Sequence, residues 1–166
     1  MKKLINLLVF VILTLTLINT NVFSYNAEPK IFITELLNDA VKTLNDKNIS
    51  KIDKTKKIEN IAKENVDIKA LGMYTLGSVR KTLDEDTLKK YEKLFEKYFL
   101  KSLTSRLNDY SKQKFEVLSA DQKSETYTIV DSKIMESSSQ PDIKISWRVY
   151  TKDPAKPLIR DLIVEG

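Results

Sequence analysis

Cysteine and histidine are both missing from the 166 residues, and glycine occurs only three times. These absences exclude whole classes of chemistry. Without His or Cys there is no all-histidine or all-cysteine zinc site, no Ser-His-Asp triad, no thiol nucleophile and no disulfide. The glycines, Gly72, Gly77 and Gly166, fit neither G-x-G-x-x-G nor G-x-x-x-x-G-K-[ST], so a glycine-rich phosphate cradle is excluded as well. An enzyme built from this chain would have to work with carboxylates, Lys, Ser, Thr or Tyr.

What is present is ordinary for a folding domain. Apolar residues make up 42% of the chain and charged residues 31%, far from the composition of a disordered segment. The length allows one domain. The formal charge is +5, from 28 Lys and Arg against 23 Asp and Glu. No basic cluster interleaved with aromatics marks a strand, so nucleic acid is not an expected partner.

The N-terminus reads as a processing signal. Lys2 and Lys3 supply positive charge, Leu4 to Ile18 form an apolar run broken by Asn6, Thr14 and Thr16, and Val22-Phe23-Ser24 suits cleavage after Ser24. This is the pattern of a secretory signal peptide over residues 1–24, leaving 25–166 as a single domain. The run is too short and too interrupted for a spanning helix, which wants about 20 predominantly apolar residues. No Cys follows it, so lipoprotein processing is excluded. Loss of Lys2 and Lys3 leaves 26 bases against 23 acids, a charge of +3.

Two halves of the chain differ in period. From Pro29 to Tyr110 apolar residues recur every three or four positions, and from Gln113 onward every two. The expectation is α+β, with N-terminal helices packed on a C-terminal antiparallel sheet of four strands. The first helix is predicted from Pro29 to about Asp46, with Ile31, Phe32, Leu36, Leu37, Ala40, Val41 and Leu44 on one face. Ser50 is placed to cap a second helix that turns Ile58, Ile61 and Ala62 inward, and Asp67 a third, Ile68 to Val79. Asp84, Glu85 and Asp86 open the longest helix, where the dipole favours negative charge. That helix carries Leu88, Tyr91, Phe95, Tyr98, Phe99, Leu103, Leu107 and Tyr110 on one broad face, opposite a ladder of Lys89, Lys93, Lys97 and Lys101. The strands are predicted at Phe115 to Ala120, Thr126 to Glu136, Ile143 to Tyr150 and Leu158 to Glu165, with polar turns at Ser137 to Pro141 and Asp153 to Pro157.

No carboxylate pair recommends an enzyme. Asp84 with Asp86 is explained by the helix start, and Asp161 and Glu165 lie four residues apart on one strand, roughly 13 Å, beyond the usual separation of a glycosidase pair. The chain is expected not to be an enzyme and to need neither metal nor cofactor.

The order of elements and several local segments resemble the MlaC family, also called the toluene-tolerance auxiliary family. Asp67 followed by Leu71-Gly72-Met73-Tyr74 is similar to the family's aspartate and Leu-Gly-x-Tyr/Trp segment. Arg160-Asp161-Leu162-Ile163-Val164-Glu165-Gly166 resembles its Tyr-Asp-Val-x-Ile/Val-Glu-Gly strand, and Ile145-x-Trp147-x-Val149 its Val-x-Tyr-x-Leu strand. The long helix with Phe95, Phe99, Leu103, Leu107 and Tyr110 adds a further match. Pro157 stands where the family usually has tryptophan, and Thr75 to Val79 departs from its Trp/Tyr-Arg-x-Ala-Thr segment. The chain also ends at Gly166, where members usually continue into C-terminal helices; it is expected to be either a fragment or a short member with a more open cavity.

The resemblance implies a periplasmic phospholipid carrier with NTF2-like, half-barrel character and an apolar cavity between its layers. It also implies partners: an inner-membrane ABC transporter complex with an MCE-domain protein, and an outer-membrane lipoprotein–porin complex, in a system that maintains outer-membrane lipid asymmetry. Under that implication the lipid-binding residues are Met73, Tyr74 and Leu76 on the short helix, Phe95, Tyr98 and Phe99 on the long helix, and Ile143, Ile145, Trp147 and Val164 on the sheet. Tyr74 and Tyr98 would set hydroxyls at the mouth, with Arg80 and Arg148 as candidate partners of the phosphate. The alternative is an exported interaction or scaffold protein with a filled core, in which the lysine ladder docks on an acidic partner.

Overall fold

The computed structural model describes residues 25–105, 114–135 and 142–165. Helices come first: α1 spans Pro29–Asn45, α2 Lys51–Asn65, α3 Ile68–Thr75 and α4 Glu85–Ser105, with a 3-10 turn at Gly77–Lys81 between the last two. Strands β1 Lys114–Ser124, β2 Tyr127–Met135, β3 Ile143–Tyr150 and β4 Leu158–Glu165 follow. They pair antiparallel in the order β1-β2-β3-β4. The α+β arrangement expected from the change of period is the one observed.

Helix starts are set by side chains that satisfy orphan amides. Glu28 caps α1, its carboxylate accepting from the amides of Lys30 and Ile31 at 3.1 and 2.8 Å, with Pro29 in the first position. Ser50 Oγ accepts from the Asp53 amide at 3.1 Å and opens α2. Asp67 Oδ1 accepts from the Ala70 amide at 3.0 Å and opens α3. Asp84 Oδ1 accepts from the Thr87 amide at 2.8 Å and its Oδ2 from the Thr87 hydroxyl at 2.7 Å, at the start of α4. That carboxyl is consequently held below its ordinary range, first by the Thr87 amide and then by the hydroxyl.

The third helix is shorter than the periodicity predicts. It ends at Thr75, and Gly77 adopts φ +55°, a left-handed conformation that a side chain would strain. The chain then tightens into the 3-10 turn. Leu107 and Tyr110, expected on α4, and the turn at Ser137 to Pro141 lie outside the described residues.

Packing divides into two clusters. Phe32, Ile33, Leu36 and Leu37 of α1 press onto Val130, Val149 and Ile159 of the sheet. Along β2, buried Thr128, Val130, Ser132 and Ile134 alternate with outward residues, as a half-buried strand requires. The second cluster joins Ala62, Ile68 and Leu100, with Phe95, Phe99 and Leu103 against them. Leu100 was absent from the face predicted for α4, and it is buried because α2 and α3 both cross that side of the helix.

One joint ties the clusters together. In β4, Val149 pairs with Ile159 and Arg148 with Asp161, so Arg160 is the extra residue of a bulge. Its Nε donates to Asp67 Oδ2 at 2.8 Å, and its guanidinium lies 3.4 Å from the centre of the Tyr150 ring. Beside it the Asp67 amide donates to the Ile159 carbonyl at 2.9 Å, and Val66 makes a parallel bridge with Ile159. The start of α3 is therefore sewn to β4.

Candidate functional site

Between the sheet and the helices lies a cavity of about 350 Å³, within the roughly 300–1,000 Å³ typical of ligand pockets. Each wall follows from a local period. Leu36, Leu37, Ala40, Val41 and Leu44 come from the inner stripe of α1, Ile58, Ile61 and Ala62 from α2, Val66 and Leu71 from the joint and α3, and Phe99 and Leu103 from α4. The floor is Phe115, Ile134, Ile143, Ile145, Trp147, Ile159, Leu162 and Val164. Among the described residues of the lining, Asp161 is the sole polar one.

The void exists because the α1 stripe does two jobs. Phe32 and Ile33 are fully buried against the sheet, whereas Val41 and Leu44, two turns on, are only half-buried and look into open space. Ala40 and Ala62 place methyl groups where larger side chains would close it. The open end is identified by exposure: Leu162 and Val164 line the cavity yet are 44% and 56% exposed. The mouth therefore lies at the C-terminal half of β4.

Trp147 keeps this wall apolar. Its indole N–H donates to Ser132 Oγ at 2.8 Å, and Ser132 is buried within the sheet. With its polar atom satisfied there, the rest of the ring is free to face the cavity.

Of the residues singled out from sequence, Phe99, Ile143, Ile145, Trp147 and Val164 come together on this cavity. Met73, Tyr74, Leu76, Phe95 and Tyr98 are not in its lining. Phe95 stacks between Tyr91 and Phe99, with ring centres 5.8 and 6.4 Å away, and it closes on Gly72. Met73 and Leu76 are half-buried, while Tyr74 and Tyr98 are 61% and 70% exposed on the outer surface. Tyr98 precedes Phe99 by one residue, a step of about 100° around a helix of 3.6 residues per turn, which carries it off the packed side.

The α1 and α2 walls escaped sequence reasoning. Their apolar stripes were visible, but the same spacing describes a core face. The available signal was the pair of small residues, Ala40 and Ala62, amid large ones. Neither candidate phosphate partner is in the lining, although Arg148 lies beside its Asp161. Arg80 Nη1 donates to the Met73 carbonyl at 3.1 Å. Arg148 stands 3.9 Å from Asp161 and 5.7 Å from the centre of the Tyr127 ring.

The site can enclose apolar chains, since the described residues of its lining are apolar apart from Asp161. Asp84, one of the considered acids, is occupied in capping. Among the described residues no three Asp or Glu converge to hold a metal ion, and no helix is long and apolar enough to cross a membrane.

No curated protein matches the sequence. The fold is similar to the solved structure of the phospholipid-binding protein from Ralstonia solanacearum in complex with a phospholipid, with a TM-score of 0.64 and 12% identity over 85% of this chain and 79% of that one. The two most distinctive segments of the sequence, at Asp67 and at Arg160, meet in one ion pair, and the family model described as MlaC protein matches residues 34–166. The chain belongs to the MlaC family.

Proposed function

We propose that this protein is a phospholipid-binding carrier of the periplasm, with residues 1–24 a signal peptide and 25–166 the lipid-binding domain. It takes phospholipid between an outer-membrane lipoprotein–porin complex and an inner-membrane ABC transporter with an MCE-domain protein, and so supports outer-membrane lipid asymmetry. The observation that carries this reading is the apolar cavity of about 350 Å³ with exposed Leu162 and Val164 at its mouth. A filled-core scaffold protein would have no such space.

The physics of carriage suits that cavity. At about 0.8 kcal/mol per buried CH₂, a tail of some fifteen methylenes gains on the order of 12 kcal/mol on leaving water, and a bilayer offers the same gain. A carrier must therefore match the dryness of a membrane without fixed polar groups inside. Apolar α1, α2 and sheet walls do so, and a contact that opens the mouth would release the cargo.

The test is mass spectrometry of organic extracts from natively purified protein, followed by transfer of labelled phospholipid from vesicles. Phospholipid should co-purify with the wild type, and Phe99→Asp should empty it by placing an unpaired carboxylate in an apolar wall, while Phe99→Leu keeps it. Wild-type protein that is lipid-free and accepts no label from vesicles would refute the proposal.

A further inference from the structure

The side of α4 turned away from the cavity has a pattern that carriage of lipid inside does not require. Lys90, Lys93, Leu94, Lys97, Tyr98 and Lys101 are all exposed, Leu94 at 58% and Tyr98 at 70%. Their spacings of three and four make one continuous stripe, with the two apolar side chains an i,i+4 pair set among lysines.

Asp86 stands at the N-terminal end of this stripe, one turn before Lys90, and the other acids of α4 are paired off it. Glu92 pairs with Lys69 at 3.0 Å and Glu96 reaches Lys63 at 4.0 Å, both toward α3 and α2. Lys89, which the four-residue ladder would include, is paired with Glu85 at 2.6 Å. Among the described residues no carboxylate pairs with Lys90, Lys93, Lys97 or Lys101.

Composition selects the occupant. Interfaces between proteins are depleted in Lys and enriched in Arg, and this stripe has four Lys and no Arg. Lysines flanking a leucine and a tyrosine on one helix face fit an anionic bilayer, where ammonium groups meet headgroup phosphates and the apolar side chains sink to the headgroup boundary. We propose that the outward face of α4 docks the protein on an anionic phospholipid bilayer. Phe99 and Leu103, on the other side of the same helix, line the cavity, so docking would hold that cavity about one helix diameter, 10–12 Å, from the lipid surface. The proposal stands on the surface of α4 and does not depend on what the cavity contains.

Co-sedimentation tests it, with vesicles of phosphatidylcholine alone or mixed with phosphatidylglycerol. The full chain should partition onto the mixed vesicles more than onto the neutral ones, and lose that excess in about 1 M salt, where screening acts within about 3 Å. Lys90→Gln/Lys97→Gln/Lys101→Gln should lower the excess about a hundredfold, at about fivefold per lysine. Leu94→Ser/Tyr98→Ser should weaken it while leaving its salt dependence. The apolar segment Leu4 to Ile18 is common to every variant, so the difference between the two vesicle types carries the result. An equal preference for neutral vesicles overturns the proposal, as does an excess unchanged in the lysine variant. So does retention on poly-glutamate beads without retention on vesicles, which would assign the face to an acidic protein.

Discussion

Replacing Gly72 by alanine sets two effects of opposite sign against each other. Gly72 sits inside α3, and an exposed helix interior would gain about 1 kcal/mol from the change. Here a Cβ would stand 2.8 Å from Phe95 Cδ1 and 3.1 Å from its Cγ. Those atoms are at the root of the ring, and Tyr91 and Phe99 stack on either side of it, so the ring has little freedom to withdraw. Overpacking of this kind costs about 1–3 kcal/mol. The net expectation is a loss of about 1 kcal/mol, which corresponds to about 3 °C in Tm for a domain of this size. Urea denaturation of wild type and Gly72→Ala measures it, with the slope unchanged if only stability has moved. A double-mutant cycle with Phe95→Leu locates the cause, because the alanine should cost less once the ring is gone. An alanine that stabilises the protein by the full propensity gain would refute the close-packing argument.

The joint between α3 and β4 depends on the planar geometry of Arg160, which pairs with Asp67 and stacks on Tyr150. Arg160→Ala should cost about 2 kcal/mol in denaturant unfolding, between the values for exposed and buried pairs, and Arg160→Lys should restore less than half of it because an ammonium cannot stack in the same way. Ser50→Ala should cost about 1 kcal/mol through loss of the α2 cap, read as a shift in the denaturation midpoint. Trp147 is the single tryptophan and lines the cavity, so loading with a phospholipid brominated on its tails should quench its emission; unquenched emission with bound lipid would place the tails elsewhere. The lowered pKa of Asp84 makes its contribution to stability present above the ordinary carboxylate range, near 3.9, and lost as pH falls through the lowered folded value. Thermal midpoints at acid pH should therefore fall less steeply in Asp84→Asn, and identical slopes would contradict the cap.

Local chemistry made much of the fold legible. Ser50, Asp67 and the acids at Asp84 to Asp86 announced helix starts because a cap acts within three residues, and the alternation of Ile143, Ile145, Trp147 and Val149 announced a strand because side-chain direction on a strand has period two. Gly77 was legible as a breaker only in part: its left-handed φ ends α3 four residues earlier than the apolar spacing predicts. Half of the candidate wall residues were named on helices whose packed side the sequence does not specify. Phe95 and Tyr98 belong to one broad aromatic stripe, and only the crossing of α2 and α3 turned Phe95 into a packed cluster and left Tyr98 in water.

By itself the sequence determined the class of chemistry and the elements. Lacking His, Cys and a glycine cradle, and carrying two periods in succession, it could specify little other than helices on a sheet with an apolar layer between. The tertiary structure decided which part of that layer is core and which is empty. Apolar spacing is the same for a wall and for a filled interior, so the division of α1 between buried Phe32 and Ile33 and the cavity-facing Val41 and Leu44 is settled only by the distance at which the helix crosses the sheet. Likewise the meeting of Asp67 with Arg160 depends on a bulge, since the single extra residue in β4 changes which side chain reaches back to α3.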